Sequence, residues 1–159
     1  MIEIQENTII KEIEEENDTL FEQWKVYVQM ADKVSERRGK NNTFFTTINT
    51  TVITLYTTSF IGVGKNLLNI LGIIISVFWI ISIKNYALLN KAKFSVINKI
   101  EKRLPVEGFT EEWKYLKNSK YSTLTSIEKY VPIVFVAINI ILLWQNGAFN
   151  WLLNFICKV

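Results

Sequence analysis

The sequence predicts an all-α membrane protein: a helical hairpin, a third hydrophobic helix and a cytosolic helical region. Three observations predict it. No charged residue occurs at residues 41–64, 66–83 or 130–157. All fifteen acidic residues fall in two blocks, residues 3–36 and 101–128. Between the charge-free stretches, apolar residues recur at three- and four-residue steps, the period of a helix. A hydrophobic content of 49% would by itself suit a soluble globule. The distribution does not, because each element of a water-soluble domain keeps a wet face. The expected organisation is a cytosolic amphipathic region over 1–40, a transmembrane hairpin over 41–83, a cytosolic region over 84–129 and a third membrane or interfacial segment over 130–159.

The first region carries a stripe of Ile10, Ile13, Asn17, Leu20, Trp24, Tyr27, Ala31 and Val34 along one helical face. Thr19 with Glu22 has the form of a capping box, so the main helix is expected at about 20–38, with a weaker helix before it. Glutamates 12 and 14–16 precede it, and Arg37, Arg38 and Lys40 sit near its end, which suits the helix dipole. The stripe fits either docking on a neighbouring subunit or covering its own domain.

The first charge-free segment, 41–64, is long enough as a helix, roughly 36 Å, for a hydrocarbon core of about 30 Å. It holds eight threonines. Thr43, Thr47, Thr50, Thr54 and Thr58 form a ladder on one face, with Asn49 nearby. A face of threonines reads as helix packing in lipid; a wet pore lining is the alternative. Residues 62–66 then supply a hairpin turn. The second segment, 66–83, is the strongest membrane signal, flanked by Lys65 and Lys84, which can snorkel. Its helix is expected to run on into water as a rod that Pro105 ends. Thr110 is a candidate N-cap for a short helix through Glu111, Glu112, Trp113 and Leu116. Thr125 and Glu128 suggest a further capping box before the last apolar run. That run either spans from about residue 131 to 144, with an interfacial tail after a break at 145–147, or lies half inserted. Trp24, Tyr27, Phe94, Phe109 and Trp113 are the candidate core of the cytosolic part.

Composition removes most chemistry. There is no histidine and one cysteine, Cys157, so zinc catalysis, histidine haem ligation and a Ser-His-Asp relay have no residues to build them. No acidic residue lies in a membrane segment, which disfavours a carboxylate proton relay. The GVGK string at 62–65 lacks the spacing of a phosphate loop. A net charge of +3 does not imply nucleic acid. The residues after Met1 are polar and do not resemble a signal peptide. The expectation is a chain that is not an enzyme, with no catalytic, cofactor or metal residues. Six basic residues precede the first segment, one separates the first two and ten lie between the second and third. The positive-inside rule therefore puts the N-terminal and middle regions in the cytoplasm. Arg37 and Arg38, at the inner border, suit either anionic headgroups or a subunit salt bridge.

Two runs carry a resemblance: SERRGKNNTFFTTIN at 35–49 and YALLNKAKFSVINKIEKRLPVEGFTEEW at 86–113. With the order of soluble helix, membrane pair, rod and later hydrophobic segment, they make the chain similar to the RipA family of small bacterial inner-membrane proteins, described as octameric. The likeness fades after Trp144. It implies a homo-oligomer, an octamer, in contact with membrane lipid and with its soluble parts cytoplasmic. It offers no catalytic residues to carry over. On that resemblance Arg37, Arg38, Asn42, Phe44, Phe45, Asn49, Asn90, Pro105 and Trp113 are structural positions. Two functions compete first: an oligomeric membrane scaffold with a cytosolic platform, and an ion channel or membrane-disrupting effector lined by the threonine helix. A third is an enzyme or transport subunit that works with an unidentified protein partner.

Overall fold

The computed structural model describes residues 2–58, 64–119 and 124–147. Five helices account for nearly all of them: α1 (Ile2–Thr57), α2 (Lys65–Glu101), α3 (Gly108–Asn118), α4 (Leu124–Glu128) and α5 (Tyr130–Gln145). The all-α expectation holds. Residues 59–63, most of the expected hairpin turn, lie outside the described residues. So do 148–159, the expected interfacial tail with Cys157.

The most visible departure is α1. The sequence suggested a helix ending near Arg38 and a second one beginning at Asn41, yet α1 is unbroken over 56 residues. It contains no proline, and Gly39 alone costs only about 1 kcal/mol. The Thr19 capping box is not formed, because the helix already has partners on both sides. The Thr19 hydroxyl instead donates to the Glu15 carbonyl at 2.8 Å.

The chain divides into two units, Met1–Glu36 with Leu88–Tyr121, and Arg37–Ala87 with Ser122–Val159. In the first unit, α1 packs with the end of α2 and with α3. Trp24 lies 5.8 Å from Phe109 between ring centres, and Phe94 meets Phe109 edge-on at 5.6 Å. Ala31, Val34 and Ile97 are buried, and Tyr27 is half-buried. Trp113 departs from the expected core: it is 54% exposed on α3, which has no buried residue. The rod of α2 ends at Glu101, and its last turn tightens through amides of Arg103 and Leu104 donated to the carbonyls of Ile100 and Glu101. Pro105 follows, exposed, where no further helical amide is needed.

In the second unit, three helical runs lie lengthwise, rung by rung. Arg38 of α1 meets Glu128 and Thr125 of α4. Asn41 and Asn42 meet Ser82 and Trp79 of α2. Phe45 stacks on Trp79, which also contacts Phe135 of α5. Asn49 meets Ser76, and Gly72 lies against Asn139. Read in order, α1 and α5 run in one direction and α2 runs against them. Among the described residues, two helices are long and apolar enough to cross a membrane: α2, and the 22-residue run Leu124–Gln145 that joins α4 to α5. That run measures roughly 33 Å. Pro132 sits in the first turn of α5, where amides lack helical partners anyway, so it interrupts the run only at Lys129. Gly147 closes α5 with φ +65°, the left-handed conformation that a C-terminal glycine supplies without strain.

Candidate functional site

Two faces of α1 define the site. One is buried. Arg38, Asn42, Phe45, Asn49, Val52 and Tyr56 follow at steps of four, three, four, three and four, so they share a face. Its polar members are tied to other helices. The Trp79 indole N–H donates to Asn42 Oδ1 at 2.9 Å, and Asn41 Nδ2 donates to Ser82 Oγ at 2.9 Å. The Ser76 hydroxyl is shared between Asn49 Oδ1 at 2.9 Å and the Gly72 carbonyl at 2.8 Å. Asn49 also donates to the Phe45 carbonyl at 2.9 Å. Trp79, Asn49 and Ser76 are buried.

The opposite face is the threonine ladder. Thr43, Thr47, Thr50, Thr54 and Thr58 are all exposed, as are Thr46, Thr51 and Thr57. Thr46, Thr47, Thr50, Thr51, Thr54 and Leu55 line a shallow groove along it. Their donors mostly point home. Thr43, Thr46, Thr47, Thr51, Thr54 and Thr58 each donate to the carbonyl four residues back, at 2.8–3.2 Å, and Thr57 donates to Thr54 at 2.9 Å. What faces outward is therefore a row of methyl groups and hydroxyl lone pairs. Asn49, grouped with the ladder from sequence, lies on the other face, because it is displaced by about 100° or more around the helix from Thr43, Thr47, Thr50, Thr54 and Thr58.

The α2–α5 seam carries further buried polar groups. A Cβ at Gly72 would stand 2.6–2.9 Å from the Asn139 carboxamide. Asn139 is buried and donates to the Phe135 carbonyl at 2.8 Å. Asn69 is fully buried, and neither its Oδ1 nor its Nδ2 has a partner among the described residues. The spacing Asn69, Gly72, Ser76 within an apolar run was the available signal for the buried polar face of α2, and sequence reasoning did not use it.

Of the other sequence-chosen residues, Arg37 is exposed, while Arg38 is buried within its own chain. Its Nε donates to Glu128 Oε2 at 2.7 Å, Nη2 donates to the same carboxylate, and Nη2 also reaches Thr125 Oγ1 at 2.9 Å. Thr125 and Glu128 thus hold an arginine instead of forming the expected capping box. The long-range charge wins over the local amide. In the other unit Glu101, 1% exposed, does what Thr110 was expected to do. It accepts the amides of Phe109 at 2.8 Å and Thr110 at 3.1 Å, and the Thr110 hydroxyl at 2.9 Å. A carboxylate at the start of α3 also suits its dipole. Among the described residues, no three His, Cys, Asp or Glu side chains stand together as a metal site.

The model of the Octameric membrane protein family (8xMP) matches residues 21–149. No curated protein and no solved structure matches the chain. The matched range includes both faces of α1, all of α2 to α5 and Glu101.

Proposed function

The chain belongs to the octameric membrane protein family, and from that premise we propose that it is a homo-octameric, non-enzymatic scaffold of the bacterial inner membrane, of the RipA kind. In this reading, residues 41–57 of α1 stand in the bilayer beside α2 and α5. The threonine face is the contact between subunits, and the helical unit built on Trp24, Phe94 and Phe109 is a cytoplasmic platform. The basic-residue distribution of six, one and ten supports that orientation.

The observation that carries the reading is the exposed threonine face with most of its donors already used. A free hydroxyl facing lipid is costly. A threonine that returns its proton to the preceding turn presents a methyl group, and small side chains let helix backbones approach closely. The same face also favours a second reading. Hydroxyl lone pairs repeated around a ring would offer oxygen ligands to a cation in a narrow aqueous path.

One variant series tests both. Thr47→Val, Thr50→Val and Thr54→Val together keep the side-chain shape and remove the oxygens; the corresponding leucines add bulk. A packing face predicts an octameric mass in detergent for wild type and the valine variant, and dissociation for the leucine variant. A conducting face predicts bilayer conductance in wild type that is lost with valine. A monomeric wild type would sink the octamer, and a leucine variant of unchanged mass would sink the threonine contact.

A further inference from the structure

Helix α1 is longer than anything packed on it within its own unit. Its apolar stripe is covered from Leu20 onward, where Leu20 and Trp24 are half-buried and Ala31 and Val34 are buried. The pair between Arg103 and Glu16, at 2.5 Å, marks the level at which α2 has already ended. Ahead of that level residues 11–19 are all exposed. Ile9 and Ile13 continue the covered stripe, yet they are 55% and 53% exposed. The helix therefore presents an apolar edge that none of the described residues covers.

We propose that this overhang docks on the neighbouring copy of the chain, with Ile9 and Ile13 as its apolar contact and Glu12 and Glu15 facing Lys99 and Lys102 of that copy. The inference rests on the octameric reading and adds where the copies meet outside the membrane. Charge complementarity argues for it. Glu12, Glu14, Glu15 and Glu16 place four carboxylates in five residues, while Lys99, Lys102 and Arg103 form an exposed basic end on α2. Within the chain Arg103 takes Glu16. No ion pair engages Glu12, Glu15, Lys99 or Lys102 among the described residues. Glu12 lies a full turn, roughly 6 Å, further toward the start of α1 than Glu16, where the basic end of a second copy would meet it. The membrane surface is a poor alternative occupant, since an anionic leaflet repels a glutamate run. The two surfaces also differ from one another. A contact of unlike surfaces is head-to-tail, and head-to-tail contacts close into a ring when the rotation between successive copies closes, as an octamer requires.

The test uses the full chain in detergent, with mass and the dilution at which the oligomer dissociates as readouts, and helicity as the check on folding. Ile9→Gln with Ile13→Gln removes the apolar contact while keeping good helix formers. It should raise the dissociation concentration about thirtyfold. Glu12→Lys with Glu15→Lys, and Lys99→Glu with Lys102→Glu, should each raise it about tenfold, and the variant carrying all four changes should return close to wild type. An octameric wild type whose dissociation ignores the glutamines, or charge reversals that do not rescue each other, overturns the docking and leaves the octamer standing. A monomeric wild type overturns both.

Discussion

Replacing Glu101 by alanine should unfasten α3 while the membrane helices stay folded. Three hydrogen bonds are lost, from the Phe109 and Thr110 amides and the Thr110 hydroxyl. Bonds to a charged group are worth about 1.5–3 kcal/mol each when intact. Phe109 and Thr110 are only half-buried, so water replaces much of that. The loss then resembles that of a strong N-cap plus its dipole contribution, on the order of 3 kcal/mol. That corresponds to roughly a hundredfold rise in local opening. Eleven residues with no buried side chain cannot stand as a helix alone, so opening should run through all of α3. Hydrogen–deuterium exchange of the full chain in micelles reads this directly: peptides covering 108–118 accelerate, and those covering 66–83 serve as the internal reference. Glu101→Gln should fall between, because its oxygen replaces one acceptor while its amide NH2 faces a donor. If exchange in 108–118 stays within about twofold of wild type in the alanine variant, Glu101 does not hold α3 and the reasoning is wrong.

Two further changes probe the second unit. Glu128→Gln or Arg38→Gln leaves one largely buried partner uncompensated, at side-chain exposures of 11% for Arg38 and 20% for Glu128, and should cost about 3 kcal/mol. Arg38→Met with Glu128→Met should cost less than the sum of the singles; additive thermal shifts would count against the pair. Gly72→Ala should lower the thermal midpoint, equivalent to about 1–3 kcal/mol, because the new methyl meets the buried Asn139 carboxamide. Adding Asn139→Ala should restore stability, and a midpoint that Gly72→Ala leaves unchanged would show that the seam has room.

Much of this architecture was legible because lipid imposes blunt requirements. The charge-free runs located α2 and α5, and Pro105 marked where the rod had to stop. Local caps were read less well. Thr19–Glu22, Thr110 and Thr125–Glu128 each fit a capping pattern, but a cap is used only when nothing stronger competes. At Thr19 the helix never began, at Thr110 a carboxylate nine residues upstream took the amides, and at Glu128 an arginine ninety residues away took the carboxylate. Glu101 could not be singled out, since it stands among many charges on an amphipathic rod and its role depends on the turn after it. Trp113 looked like core because it is aromatic, yet α3 turns it outward.

The threonines and asparagines of α1 are sorted by hydrogen-bond demand more than by hydropathy. A threonine has one donor, and a helix offers it a carbonyl four residues back. Six threonines satisfy that donor without any neighbour, so their helix face can be left open to another helix. A carboxamide has two donor hydrogens and an acceptor oxygen, which its own helix cannot all engage. Asn49 uses the Phe45 carbonyl and still requires Ser76. Over residues 41–57, Asn41, Asn42 and Asn49 therefore turn toward the packed side, and the threonines are free to face outward. Counting donors separates the two faces where residue polarity alone merges them, and it explains why Asn49 stands apart from the ladder it neighbours in sequence. It also makes residues 41–57 acceptable at bilayer depth despite hydropathy too modest to mark them as a span, since most of the ladder's donors never require water.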